Sequence, residues 1–175
     1  MQGSTRSEGT LHKQTSQRPV TLDNMSSLDA LDRALLQLVL AEPKLGVLET
    51  SRRLGIARGT AQARLARLEQ AGVLHWAPRL DPAGLGFAVL AFTTLEVHQG
   101  QGVTSVADHL SSIPEVLEAH TTTGQGDVLC RIVARDHGDL QRVLDAITST
   151  QLVARTSTVI SLTNEVPHRV GQLLA

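Results

Sequence analysis

What this sequence has little of narrows it first. Its 175 residues include a single cysteine, Cys130, so neither an intramolecular disulfide nor a cysteine-rich zinc site can form. A lone thiol suits a reducing compartment, and a cytoplasmic location is expected. Aromatics amount to 2% (two Phe, one Trp, no Tyr), too few for the stacking platforms that hold RNA or single strands. Seven histidines are scattered without metal-ligand spacing, so no metal site is expected. No apolar run approaches the roughly 20 residues that span a bilayer, and the first residues carry no apolar signal core. Hydrophobic residues still make up 41%, enough for a real core.

The net charge of −1 conceals an asymmetry. Residues 25–80 hold eight Lys or Arg against five acids, a net of +3. Residues 81–175 hold five Arg against ten acids, a net of −5. A basic half before an acidic half suggests that one module alone faces a polyanion.

The basic half is organised around residues 48–72, LETSRRLGIARGTAQARLARLEQAG, where five arginines stand between Glu49 and Glu69 with no acid among them. Before it, residues 1–24 are rich in Ser, Thr, Gln and Gly without apolar periodicity, and read as a disordered tail. A first helix then follows, with Ser26 or Ser27 as cap, Asp29 in its first turn, and Leu28, Leu31, Leu35 and Leu38/Val39 on one face. Pro43 ends it. A second helix is expected from about residue 47 to 54, with Gly55 supplying the left-handed turn. A third covers about 58–71, burying Ala61, Leu65 and Leu68. Helix, tight turn and helix with a small-residue outer face make a helix-turn-helix, whose second helix enters the major groove. Arg52, Arg53, Arg58, Gly59, Thr60, Gln62, Ala63, Arg64 and Arg67 are its candidate contacts to double-stranded DNA. Arg58, Gln62 and Arg67 reach outward best, while Arg64 lies nearer the buried arc. The alternative is a solvated, salt-bridged face in which Arg53 or Arg64 pairs with Glu49 or Glu69. Residues 73–80 read as a strand or wing interrupted at Pro78, with Arg79 placed for phosphate.

Residues 81–86 form a linker. Beyond it, 87–98 alternates as a strand, Val103 to Ile113 marks a helix, and 116–123 and 127–134 are strands around Gly124-Gln125-Gly126. Leu140, Val143/Leu144 and Ile147 mark another helix, and 154–163 a last strand. The order βαββαβ predicts a ferredoxin-like sandwich over 87–175, so the fold class is α+β with the helix-turn-helix head at 25–80. Two helices cover one sheet face only, yet Phe87/Val89/Leu95/Val97 and Ala88/Leu90/Phe92 are apolar on opposite faces. Val128/Cys130/Ile132 likewise oppose Leu129/Val133. An uncovered apolar face calls for a second copy, so a dimer is expected. Cys130 and His120, on strands of one sheet, raise a thiol–imidazole pair, but Cys130 sits inside an apolar alternation, where a small buried cysteine is the commoner outcome.

With both halves placed, residues 28–174 resemble the Lrp/AsnC (feast/famine) family of transcription regulators. The resemblance rests on LDALDRALL, ETSRRLGI and ARLARLEQAGVL leading to LDPAGLG, then on EVLEAHTTTGQGD and DLQRVLDAI. It implies a winged helix-turn-helix that binds duplex DNA and a second domain that dimerises, assembles into tetramers or octamers, and senses an amino acid or related small molecule near the glycine-rich hairpin. Paired heads would address half-sites about one helical turn, roughly 34 Å, apart. Thr122, Thr123, Gly124, Gln125, Gly126, Asp127, Thr156 and Thr158 are then the candidate effector ligands, with Asp127 receiving an α-amino group. Two departures stand out. Ala57 and Arg58 replace the family's Ser-Pro at the start of the recognition helix, removing a cap. Gln125 and Gly126 replace an acid and an aromatic in the hairpin. The expected function is sequence-specific DNA binding tuned by an effector, with no other cofactor and no catalysis. An effector-independent architectural DNA-binding protein is the alternative, and a tetrapyrrole decarboxylase of the same fold a remote one.

Overall fold

The computed structural model describes residues 28–98 and 103–174. The expected tail at 1–24 and the caps at Ser26 and Ser27 lie outside them. The described chain divides into a head, ending at Trp76 and rejoined by residues 169–174, and a second unit, Ala77–His168.

In the head, α1 (Ala30–Ala41) starts at Asp29, which is the cap itself rather than a first-turn acid. Its carboxylate accepts from the Asp32 N–H at 2.8 Å, and the Asp32 carboxylate accepts from the Asp29 N–H at 3.2 Å. This reciprocal pair satisfies two orphan donors at once. Leu35, Leu36 and Val39 are the buried apolar positions of α1, so the apolar stripe includes Leu36, one place off the expected spacing. Helices α2 (Val47–Arg53) and α3 (Arg58–Gln70) are joined through Gly55 at φ 64°. Ala61, Leu65 and Leu68 of α3 complete the core with Leu74, as the 3.6-residue spacing predicts. No side chain caps α3 at Ala57.

Residues 73–80 form no strand, contrary to expectation. Gly72, at φ 71°, turns the chain so that the N–H groups of Val73 and Leu74 donate to the Leu68 carbonyl at 2.9 and 3.2 Å. The start of the segment is thus committed to closing α3, and Pro78 brings no N–H to a ladder. A second difference concerns the C-terminal residues, which the sequence reading left in the second domain. The 3-10 turn Gly171–Leu174 packs on α1, with Leu174 against the head's apolar cluster.

The second unit contains β1 (Val89–Val97), α4 (Val103–Ser111), β2 (Val116–Thr121), β3 (Val128–Ala134), α5 (His137–Thr148) and β4 (Val153–Ser161). The sheet order is β2-β3-β1-β4 with every neighbouring pair antiparallel. Ala91, Leu95, Val128, Cys130, Ile132 and Val153 meet Val106, Leu110, Leu140, Val143 and Ile147 of the two helices in one core. Because side chains alternate along a strand, register assigns the other face. Leu90 pairs with Val133, Phe92 with Val159, and Thr94 with Leu129 and Ser157. Those side chains share the face away from the helices, where Phe92 is 37% and Val159 63% exposed. The outer face is therefore apolar at one end and polar toward Thr94, Ser157 and Glu96.

Candidate DNA-binding surface and ligand cleft

The head divides its arginines into two groups. Arg58, Gly59, Thr60, Gln62 and Ala63 are all exposed on the first turns of α3, and Arg58 forms no ion pair among the described residues. Arg52 keeps 70% of its side chain exposed and stands only 3.9 Å from Glu49. These residues present an exposed face, with Arg58 unpaired among the described residues and Arg52 held only at the limit of an ion pair. Arg53 instead pairs with Glu42 and, at 3.4 Å, with Glu49. Its guanidinium is held above its usual pKa, first by the hydrogen bond to Glu42.

Arg64 and Arg67 converge on Asp32, which is 1% exposed. Arg67 Nη2 donates to one carboxylate oxygen at 2.6 Å and Arg64 Nη1 to the other at 3.0 Å. Arg64 also pairs with Asp29, and not with Glu69. Burial opposes ionisation of Asp32, but the hydrogen bonds from Arg67 and Arg64 outweigh it and hold the carboxyl below its ordinary range. Asp29 is lowered as well, chiefly by its hydrogen bond from Arg64. Two of the candidate DNA contacts thus tie α3 to α1. Arg67 remains 49% exposed and has donors to spare; Arg64, at 30%, is the more enclosed. Asp32 was missed as a site-forming residue, although its place one turn after Asp29 was visible in the sequence.

The second constellation surrounds the hairpin between β2 and β3. Gly124 and Gly126 have φ of 105° and 81°. At Gly126 a Cβ would lie 2.3 Å from Thr94 Cγ2 and 3.1 Å from the Leu95 carbonyl oxygen, so the hairpin folds directly onto β1. The missing aromatic of the family pattern thus coincides with a close approach, at positive φ, that a side chain could share only if Thr94 moved aside. Asp127 secures that approach. Its N–H donates to the Leu95 carbonyl at 2.8 Å, and its carboxylate accepts from the Val97 N–H at 2.7 Å, across the register shift between Glu96 and Val97. One oxygen of the carboxylate expected to receive an α-amino group is thus engaged in holding this bulge.

A cleft of about 450 Å³ opens beside the hairpin, lined by Thr94, Glu96, Gln125, Gly126, Arg155, Thr156 and Ser157. Of the eight expected ligands, Gln125, Gly126 and Thr156 line it. Thr122 is occupied within the hairpin, donating to the Gly126 carbonyl at 3.3 Å, and Thr123 and Gly124 are exposed off the cleft. Thr158 faces the helices, with its hydroxyl 3.0 Å from that of the fully buried Thr93. Glu96, Arg155, Thr94 and Ser157 went unrecognised, because only the β1–β4 register brings them together. The Cys130–His120 pair is excluded by alternation: Cys130 is buried under the helices, while His120 pairs with Leu129 on the outer face. Burial raises the Cys130 thiol to about 11, leaving it protonated and unreactive.

Comparison with known proteins agrees with both halves. The model of a winged helix-turn-helix DNA-binding domain matches residues 28–75, and that of the Lrp/AsnC ligand binding domain matches residues 90–170. The chain is 32% identical to the HTH-type transcriptional regulator FL11 of Pyrococcus horikoshii over 136 residues, covering 77% of this chain and 89% of that one. The structure of Escherichia coli AsnC superposes with a TM-score of 0.77 at 26% identity, over 83% of this chain and 99% of that one. A transcriptional regulator of Neisseria meningitidis, solved as a complex with L-Met, superposes with a TM-score of 0.73 at 26% identity, over 83% and 96% of the two chains. The chain belongs to the Lrp/AsnC family of transcriptional regulators, with a DNA-binding head and a ligand-binding domain.

Proposed function

We propose that this regulator binds duplex DNA as a dimer or larger ring and that an amino acid, held in the cleft beside the Gly124–Gly126 hairpin, changes how its dimers associate. The cleft carries the reading: a half-open, polar volume of about 450 Å³ sits where the ligand-binding domain is matched. The L-Met complex of the Neisseria meningitidis relative supports an amino acid as the class of effector. Dimerisation is supported by the outer sheet face, where Leu90, Phe92, Leu129 and Val159 lie away from the two helices and Phe92 and Val159 are exposed among the described residues. Regulation rather than catalysis is favoured by the relatives' names.

Contact with DNA is assigned to Arg52, Arg58, Gly59, Thr60, Gln62 and Ala63 as the open face. Arg67 contributes from its exposed edge, and Arg53 and Arg64 orient the helices. Small residues let α3 sit deep in the groove but leave few groups to read bases, so pairing of heads carries much of the affinity. Effector control requires that the two assemblies bind the ligand with different affinity. Isotherms on random and selected duplexes, with and without a panel of amino acids, test the reading together with sedimentation under the same conditions. Ligand-dependent affinity and assembly are expected. Affinity and sedimentation indifferent to every amino acid would leave the effector-independent architectural reading in its place.

A further inference from the structure

The cleft carries a charge arrangement of its own. Glu96 on β1 and Arg155 on β4 are directly opposed in the ladder, and both line the cleft. Opposite charges at facing positions of an antiparallel pair ordinarily meet. Here neither forms an ion pair with the other or with any described residue, although the ladder keeps them opposed up to the bulge that follows Glu96, where Asp127 accepts from the Val97 N–H. A carboxylate and a guanidinium, each without an ion-pair partner among the described residues, thus share one half-open cavity. The remaining lining is equally specific. Thr94, Gln125 and Ser157 present hydroxyls and a carboxamide, and among the described residues no aromatic or long aliphatic side chain lines the cavity.

We infer that the cleft selects a zwitterionic amino acid with a hydrogen-bonding side chain, Glu96 receiving its α-ammonium group and Arg155 its α-carboxylate. This rests on the effector reading above and assigns that site its ligand class. Arg offers a carboxylate two parallel donors, and a carboxylate is the natural acceptor for an ammonium, so the two ends are told apart by charge. The carboxamide of Gln125 and the Thr94 and Ser157 hydroxyls then meet a side chain such as a carboxamide or hydroxyl. An apolar side chain would offer these groups no hydrogen bond and would displace water that does, which disfavours it. The preference accordingly differs from that suggested by the relative crystallised with L-Met.

The test is calorimetric titration of the full chain with L-glutamine, L-asparagine, L-serine, L-methionine and L-leucine. The N-acetyl and α-amide derivatives of whichever binds, and the variants Glu96→Gln and Arg155→Gln, complete it. Both positions are exposed strand residues, so the variants should fold; circular dichroism checks this. The polar amino acids are expected to bind more tightly than methionine or leucine, and either derivative to bind about tenfold more weakly or worse, as when a charge-assisted contact is lost. Glu96→Gln should depress affinity for the parent amino acid by a similar factor yet leave that for the N-acetyl derivative unchanged. Arg155→Gln should do the same with respect to the α-amide. If methionine or leucine binds best, or if the variants bind the parent as wild type does, the inference is overturned while the effector reading stands. If no amino acid binds and none alters DNA binding, both fall.

Discussion

The junction most open to a quantitative test is Asp32→Asn. In the native head this carboxylate is 1% exposed and accepts from Arg67 at 2.6 Å, Arg64 at 3.0 Å and the Asp29 N–H at 3.2 Å. Asparagine preserves the shape but removes the charge and one acceptor. Deleting one member of a fully buried ion pair costs about 3–5 kcal/mol, because the partner is stranded. Arg64 and Arg67 retain 30% and 49% of their side-chain exposure and can rehydrate, so a loss of about 2 kcal/mol is expected. For a unit of this size that corresponds to a fall of roughly 10 °C in Tm. Trp76, the sole tryptophan and the last residue of the head's main segment, offers a fluorescence reporter for urea or thermal unfolding. The pH dependence supplies a second check. The folded Asp32 lies below its ordinary value of 3.8, so its contribution is complete above that value and disappears as pH falls through the folded one. The difference between wild type and variant should be full at neutral pH and shrink below about pH 4. A difference under about 0.5 kcal/mol at pH 7, or one that persists unchanged into strong acid, would refute the assignment of Asp32 as the junction between α1 and α3.

Four further outcomes follow from the same geometry. Arg58→Ala should weaken duplex binding and reduce the slope of log affinity against log salt by about 0.9, with assembly and stability unaltered; an unchanged slope would remove Arg58 from the phosphate contacts. Arg67→Ala, by contrast, should lower both DNA affinity and head stability, because the same guanidinium serves Asp32. Gly126→Ala must relieve both a positive φ and a 2.3 Å approach to Thr94, at a cost of about 1–3 kcal/mol by urea denaturation; wild-type stability would mean that the hairpin opens freely from β1. Phe92→Asp places a charge on the uncovered sheet face and should dissociate dimers in sedimentation velocity, whereas retention of the dimer would locate the interface elsewhere.

Local signals account for most of the elements. The spacing of Ala61, Leu65 and Leu68, the alternation of β1 and β3, and the glycines at 55, 72, 124 and 126 each act within a few residues, and the corresponding helices, strands and turns stand where those signals put them. The βαββαβ order and the uncovered face were legible for the same reason. Where local and tertiary demands competed, the sequence was a poorer guide. Residues 73–80 have strand-like composition, but a strand exists only by pairing, and their first N–H groups are drawn to α3. Residues 169–174 look like a continuation of the second domain, yet Leu174 finds its apolar neighbours on the head.

The sites divide in the same way. Residue type and helical period determined which face of α3 points outward, since that depends on 3.6 residues per turn and on what must be buried. Only the tertiary structure decided which arginines that face can use, because Asp32 stands 32 and 35 positions from Arg64 and Arg67 and meets them only when α1 packs on α3. In the second domain, the glycines of the hairpin marked where the chain must turn, by a backbone requirement that the sequence carries within itself. That Asp127 holds a bulge, that Thr158 turns inward, and that Glu96 faces Arg155 across the cleft follow from strand register. A shift of one residue would have turned each side chain to the other face, and no single strand contains the information that sets it.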